Sequence, residues 1–146
     1  MQISACVIVK NEAENISTCL ESVQKIVQQI IVVDTGSTDH TVDLAKKYGA
    51  EVYHYEWNND FSAAKNFALG KAKGDWVIFL DADEYISAET AGNVPNIIKQ
   101  YGKGCDGFIT HMSNIDLDDD NRLIDEFFIT RIFRRDPNLC FAGTVH

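Results

Sequence analysis

Short apolar segments alternate with helical segments through the first hundred residues of this chain, and this alternation constrains the fold more than any other feature. The first segment, Ile3–Val9, is nearly all apolar and rich in β-branched residues, as a strand covered on both faces should be. Three more segments are predicted as strands: Ile30–Val33, Glu51–Tyr55 and Trp76–Leu80. Apolar residues at steps of three and four predict the helices between and after them: Asn15–Ile26, Thr41–Tyr48, Phe61–Ala72 and Thr90–Tyr101, the last interrupted or begun at Pro95. The alternation predicts an α/β domain with a mainly parallel sheet.

The pattern changes after Gly104. Two further strands are predicted, Gly107–Met112 and Phe127–Phe133, with the polar segment Asn114–Asn121 between them. We therefore expect a mainly parallel sheet flanked by helices, with a few added strands at its carboxyl-terminal end. The 146 residues fit one domain, residues 1–146, and the apolar stretch before its last residue leads us to expect that it is truncated at the carboxyl terminus.

Charge and cysteine content narrow the classes of function. Thirteen basic against 22 acidic residues give a net charge of −9, which argues against a nucleic-acid partner because such binding needs positive charge to displace counterions. No apolar run approaches the roughly 20 residues of a transmembrane helix, so no transmembrane segment is predicted. The four cysteines lack paired metal-ligand spacing, which indicates reduced thiols and a cytoplasmic protein, either free or peripheral to a membrane.

Polar side chains cluster where the predicted parallel strands end. The four strands are followed by these segments: Lys10–Glu12, Asp34–Asp39, Trp57–Asp60 and Asp81–Glu84. Open parallel sheets bind ligands outside the carboxyl ends of their strands, so these segments are expected to form one site.

The strongest signal is WVIFLDADE, residues 76–84, in which a buried strand ends in three carboxylates. Unpaired carboxylates repel one another and raise each other's pKa. A divalent cation removes the repulsion, and Mg²⁺ or Mn²⁺ takes oxygen ligands, often one or two carboxylates together with substrate phosphates. Asp81 and Asp83 would face the same side if the strand geometry continued, so they are the candidate metal ligands. The alternative is an exposed acidic turn.

The second signal is IVVDTGSTD, residues 31–39. Gly36 allows a tight turn, and Ser37 or Asp39 can cap the helix that follows. Asp34 precedes the turn and is expected instead to accept a hydrogen bond from a ligand N–H.

Two further segments carry weaker signals. In VKNEAE, residues 9–14, Lys10 either meets a phosphate or is solvated, and Asn11 or Glu12 can cap the first helix. In FSAAKNF, residues 61–67, Lys65 and Asn66 lie on the polar side of a helix, where Lys65 either meets a ligand or is solvated.

Two local motifs invite other interpretations. DTGS, residues 34–37, matches aspartic proteases, but those are all-β proteins with a second aspartate close by, and helical periodicity flanks the motif here. LDAD, residues 80–83, matches the aspartyl nucleophile of haloacid-dehalogenase-like phosphatases, but Tyr85 stands where Thr or Val is required, and the strand is the fourth rather than the first. The glycine-rich motifs GxGxxG and GxxxxGK[ST] are absent, which argues against nicotinamide binding and ordinary nucleoside triphosphate hydrolysis.

Several stretches, in this order, resemble the amino-terminal part of family 2 glycosyltransferases, which have the Rossmann-like GT-A fold: VIVKNEAENISTCLESV, IIVVDTGSTDHTVDLAKKYGA, WNNDFSAAKNFAL and GDWVIFLDADEYIS. They cover residues 3–87. A weaker similarity follows in TRIFRRDPNLCFAGTVH, residues 130–146.

The resemblance implies a nucleotide-sugar site in which Asp34 contacts the nucleobase and Asp83 coordinates Mg²⁺ or Mn²⁺. It implies that Asp81 binds the ribose or helps to hold the metal, and that His146 is a metal ligand or lines the site. Lys65 stands where many relatives have Arg, and it keeps the charge without the planar fork. The residues expected at the nucleotide-sugar site are Val9, Lys10, Asn11, Glu12, Asp34, Gly36, Ser37, Lys65, Asp81, Ala82 and Asp83.

The implied activity is a metal-assisted, inverting transfer of a sugar from a nucleoside-diphosphate sugar, UDP-linked, to an acceptor that is a saccharide, a lipid or a peptide. The general base is not identified, and Glu84 and Asp125 are only placeholders for it. The alternative is a nucleotide-sugar-binding or interaction module without transferase activity of its own. Four phenylalanines are expected to pack in the core, with a homodimer face as the alternative: Phe108, Phe127, Phe128 and Phe133.

Overall fold

The computed structural model describes residues 1–143 and contains one six-stranded sheet with helices on both faces. The strands are β1 Ile3–Val9, β2 Gln29–Asp34, β3 Glu51–His54, β4 Trp76–Asp81, β5 Gly107–Asp116 and β6 Arg122–Arg134. The helices are α1 Ile16–Gln24, α2 Thr41–Lys47, α3 Phe61–Lys71 and α4 Ala88–Tyr101, which is followed by a 3₁₀ turn at Gly102–Gly104. The predicted alternation of strands and helices is confirmed.

The parallel part of the sheet is built from β1 to β4. Strand order across the sheet is β3-β2-β1-β4-β6-β5, and β1 pairs in parallel with β2 and β4, so that Cys6 lies opposite Ile31 and Phe79. β1, β2 and β4 are buried along nearly their whole length, which explains their continuous apolar sequences. The core on one face includes residues of α1, α2 and α4, and the core on the other includes residues of α3. The mainly parallel fold class is therefore confirmed.

β5 and β6 form a long antiparallel hairpin at the carboxyl-terminal edge. Only its base joins the rest of the sheet, through pairs such as Ile78 with Ile132 between β4 and β6. Its tip turns at Asp120 and Asn121, whose φ angles of 47° and 56° lie in the left-handed region that Asn and Asp tolerate best among residues with a side chain. The two added strands are confirmed, but both are longer than predicted: β5 continues to Asp116, inside the polar segment, and β6 begins at Arg122, directly after it.

The hairpin contains two changes of register. At the first, Phe108 lies opposite Ile132 while Ile109 lies opposite Thr130, so Arg131 is the extra residue of a β-bulge. Bulges redirect side chains and occur often beside functional sites. Here the bulged residue is buried, with 8% of its surface exposed.

The fourth helix starts two residues earlier than predicted and continues through Pro95. The Ser87 side chain caps it by accepting from Thr90 N at 3.2 Å. Pro95 has no N–H to donate to the carbonyl of Ala91, but Ala91, Val94 and Ile98 are buried and hold the helix on both sides of it. Among the helices of the described residues, none combines the length and apolar character that crossing a membrane requires.

The four phenylalanines divide into two groups. Phe133 is buried and Phe108 packs beside Trp76 with ring centroids 5.4 Å apart, as core packing predicts. Phe127 and Phe128 lie on the projecting part of the hairpin and are 36% and 73% exposed. Core packing is therefore the wrong interpretation for these two.

Candidate functional site

A cavity of about 450 Å³ opens at the carboxyl edge of the parallel strands. Chain segments that follow β1 and β4 meet there, together with the start of α3 and residues of β6. The predicted site residues that line it are Val9, Lys10, Glu12, Lys65, Asp81, Ala82 and Asp83. The parallel sheet therefore brings seven of the predicted side chains to one cavity.

The other predicted residues of the first 143 belong to a turn beside this cavity rather than to its wall. Asn11 links the turn to β1, because its amide oxygen accepts from Thr38 N at 2.8 Å and its N–H donates to Ser37 Oγ at 2.9 Å. Asn11 has a φ of 53° and Gly36 a φ of 119°, so two tight backbone bends meet here.

Asp34 is the buried carboxylate at the centre of this turn, with 3% of its surface exposed. Its oxygens accept from Gly36 N at 3.2 Å and from Ser37 N at 3.2 and 3.3 Å. His54, an exposed residue at the end of β3, places Nδ1 3.5 Å from Asp34 Oδ2. Asp34 therefore holds the turn, and a carboxylate with about four lone-pair sites can still accept from a ligand.

The helix caps differ from those the sequence indicates. Asn11 and Glu12 do not cap α1 with their side chains; the Glu12 carbonyl accepts from Asn15 N and Ile16 N instead. Ser37 does not cap α2, whereas Asp39 accepts from Thr41 N at 3.0 Å at its start.

The Thr41 hydroxyl also donates to Asp39 and lowers the pKa of that carboxyl, with help from backbone donors of Thr41 and Ala13. The Thr41 hydroxyl in turn accepts from Glu12 N at 2.9 Å. These bonds tie the segment after β1 to the start of α2, and so fix the wall of the cavity.

The acidic segment after β4 forms a turn. The strand ends at Asp81, so the assumption that strand geometry carries Asp81 and Asp83 to the same side is wrong. Both nevertheless line the cavity. Asp81 and Glu84 bond each other across the turn, with Asp81 N donating to Glu84 Oε2 at 3.0 Å and Glu84 N to the Asp81 carbonyl at 2.9 Å.

Arg131 is the basic residue of this cavity that the sequence interpretation missed. Its Nη2 lies 3.0 Å from Asp81 Oδ2 and also bonds Glu84 Oε1. Burial raises the pKa of Glu84, as does the charge of Asp81, while the backbone donor of Asp81 and Arg131 act against the rise. The resemblance of the TRIFRR sequence to family 2 glycosyltransferases drew attention to this part of β6. The local sequence pattern does not reveal the β-bulge that brings Arg131 to the cavity.

A divalent cation fits this site in one of its usual modes. Within residues 1–143 no group of three or more His, Cys, Asp or Glu side chains is arranged to hold a metal ion by itself. Mg²⁺ commonly uses one or two carboxylates and completes its shell with water and substrate phosphates, and Asp81 and Asp83 in one cavity match that pattern. The third predicted ligand, His146, lies outside the described residues.

Lys65 is half-buried against aromatic rings rather than on a solvated helix face. Its Nζ lies 5.0 Å from the ring centroid of Phe141 and 5.6 Å from that of Phe79, which are cation–π distances. Asn66 next to it holds the backbone of Phe141 with two hydrogen bonds, of 2.9 and 2.8 Å. The sequence interpretation placed both side chains on the polar face and did not foresee their contact with the carboxyl-terminal segment.

An α/β sheet with a cavity outside the carboxyl ends of its parallel strands, lined by charged side chains, defines a class of ligand-binding proteins. The profile of Glycosyl transferase family 2 matches residues 4–145, and the chain belongs to that family. Its sheet, with antiparallel strands added at the carboxyl-terminal side, is similar to that of GT-A glycosyltransferases.

Curated relatives match only part of their own length. A TPR repeat-containing protein of Synechococcus elongatus is 49% identical over 88 residues, which are 60% of this chain and 22% of the relative. The glycosyltransferase SunS of Bacillus subtilis is 38% identical over 99 residues, which are 66% of this chain and 24% of the relative. The chain thus spans about a quarter of the length of these two curated relatives.

Solved structures show the same fold. The structure of S. aureus TarS 1-349 in complex with UDP-GlcNAc is 30% identical, has a TM-score of 0.61 and covers 70% of this chain and 32% of that one. Glucosyl-3-phosphoglycerate synthase from Mycobacterium tuberculosis, in complex with Mn²⁺, UDP and glucosyl-3-phosphoglycerate, is 25% identical with a TM-score of 0.54 and covers 67% of this chain and 38% of that one.

Proposed function

We propose that this chain is the donor-binding domain of a glycosyltransferase that moves a sugar from a UDP-linked donor to an acceptor hydroxyl, with metal assistance and inversion at the anomeric carbon. The observation that carries the proposal is the meeting of Asp81 and Asp83 with the segment after β1 in one cavity. Family membership and the nucleotide ligands of the TarS and synthase structures support it.

The proposed roles follow the geometry. Val9, Lys10 and Glu12 form the wall beside the nucleotide, and Asp34 accepts from the nucleobase while it holds its turn. Lys65, fixed over two rings, supplies positive charge near the diphosphate. Asp83 and Asp81 would hold the Mg²⁺ or Mn²⁺ ion, which when bound stabilises negative charge on the leaving diphosphate.

The chemistry is a single displacement at the anomeric carbon. The acceptor oxygen forms the new glycosidic bond as the bond to the diphosphate breaks, and a base removes the proton of the acceptor hydroxyl. The two placeholder bases are unsuited to that task. Glu84 is bonded to Arg131, and the exposed Asp125 accepts from Asn114 on the hairpin. The base is therefore not assigned.

Calorimetric titration with UDP-GlcNAc or UDP-glucose in the presence of Mn²⁺ tests the proposal. Asp83→Ala is expected to weaken binding by at least about tenfold, because a carboxylate ligand of the cation is lost. Asp118→Ala, at the exposed tip of the hairpin, removes the same charge and should leave binding unchanged. Equal binding by both variants would contradict the proposal.

Turnover distinguishes the transferase from the second candidate, a binding module. The module interpretation predicts binding without donor hydrolysis or transfer. We also propose a cytoplasmic location, which the four free cysteines support. The exposed hairpin is the proposed contact surface of a homodimer.

A further inference from the structure

We propose that Arg131 neutralises Asp81 by forming an ion pair with it while no divalent cation is bound, and that a bound cation replaces Arg131 as the partner of Asp81. The inference deepens the proposed function and rests on it. It gives a divalent cation a specific competitor inside the protein.

The two carboxylates that Arg131 bridges differ in exposure. The Glu84 side chain is 14% exposed, whereas the Asp81 side chain is 53% exposed. Removing a charge from its partner is costly in a buried pair and cheap in an exposed one. The ion pair of the guanidinium with Glu84 is therefore expected to persist, whereas the ion pair with Asp81 can break at low cost.

The β-bulge explains how a buried arginine reaches this place. Arg131 is the residue left over where Phe108 lies opposite Ile132 and Ile109 opposite Thr130. Successive side chains of a strand point to opposite faces of the sheet, so one extra residue in β6 reverses which face each later side chain occupies. The bulge therefore places the guanidinium against the turn after β4.

One donor of Arg131 is unused. Its Nε is buried and has no hydrogen-bond partner among the residues that the structure describes. A buried donor without a partner is unfavourable, and this one belongs to a residue that lines the same cavity as Asp81 and Asp83.

Competition for Asp81 makes a prediction of definite sign for the cation alone. Removing Arg131 should strengthen Mn²⁺ binding in the absence of nucleotide, by about tenfold, or about 1.4 kcal/mol. A residue that merely orients a metal ligand has the opposite effect, since its loss weakens metal binding.

The experiment measures Mn²⁺ affinity of the full chain by calorimetry without nucleotide, for the wild type, Arg131→Met, Arg131→Lys and Arg122→Ala. Arg122 pairs with Asp116 and Asp119 at the far end of the hairpin, so its variant removes the same charge away from the cavity. Affinity should rise most in Arg131→Met, less in Arg131→Lys, which keeps the positive charge on a shorter side chain, and not in Arg122→Ala.

A fall or no change in Mn²⁺ affinity in folded Arg131→Met overturns the inference. If circular dichroism shows that this variant does not fold, Arg131→Lys decides, and an affinity equal to that of the wild type overturns it. If the wild type binds Mn²⁺ and UDP-sugar and Arg131→Met binds Mn²⁺ with the same affinity, only this inference is removed and the proposed function stands. A wild type that binds no Mn²⁺, either alone or together with UDP-sugar, removes it together with the metal part of the proposed function.

Discussion

Asn66 is predicted to hold the carboxyl-terminal segment against the sheet, and Asn66→Ala measures that role. The variant loses two side chain to backbone hydrogen bonds with Phe141, of 2.9 and 2.8 Å. Each contributes about 1 kcal/mol, so about 2 kcal/mol is lost. Alanine returns about 0.5 kcal/mol through its higher helix propensity, which leaves a net loss of about 1.5 kcal/mol. For a chain of this size the loss corresponds to about 3–6 °C in the unfolding midpoint.

The loss should extend to the aromatic contacts that Phe141 makes. Its ring lies 5.3 Å from that of Phe79 and 6.1 Å from that of Phe133, centroid to centroid, and beneath the Lys65 ammonium. Release of this ring would therefore also free Lys65 beside the cavity.

Urea unfolding followed by circular dichroism is the assay. Asn66→Asp keeps the acceptor for Phe141 N but puts a carboxylate oxygen against the Phe141 carbonyl, so it should also be less stable than the wild type. Asn96→Ala is the matched control, since Asn96 is an exposed asparagine in the interior of α4. The reasoning is refuted if Asn66→Ala is as stable as Asn96→Ala.

Three further outcomes are expected. A thiol reagent should label Cys140 and the half-buried Cys105 in the native protein and reach Cys6 and Cys19 only after unfolding, because burial raises the pKa of both inner thiols to about 12. Raising the pH above the unfolded thiol value of 9.0 should lower the free energy of unfolding by up to about 1.4 kcal/mol per pH unit for each of these two thiols, since the unfolded state releases its protons first. Cys6→Ala should reduce the slope to the contribution of Cys19, and an unchanged slope would count against burial as its cause. Phe128→Asp should change stability by less than about 0.5 kcal/mol because the ring is 73% exposed, and in sedimentation it should dissociate the proposed homodimer; a monomeric wild type would eliminate that dimer.

The parallel part of the fold could be predicted because its strands are buried on both faces. Ile3–Val9 and Trp76–Leu80 consist almost wholly of apolar residues for that reason, and their predicted bounds differ from the observed ones by at most one residue. The hairpin could not be predicted in full. Its outer half is largely exposed, so Arg122–Glu126 and Ser113–Asp116 carry no alternation that would indicate strands.

The candidate site was predictable where it depends on chain direction alone. Parallel strands end at one edge, and that rule places Lys10, Asp81 and Asp83 together from the sequence. Arg131 depends on a one-residue change in strand register, and the contacts of Asn66 depend on where the chain returns after β6. Neither feature leaves a trace in local composition.

Diffraction from crystals that contain Mn²⁺ and UDP, recorded at the manganese absorption edge, tests the central claim most directly. The anomalous signal is expected beside the Asp83 carboxylate, with the diphosphate in the cavity between the segment after β1 and the turn after β4. Manganese bound elsewhere on the chain, or UDP bound outside this cavity, would contradict the account.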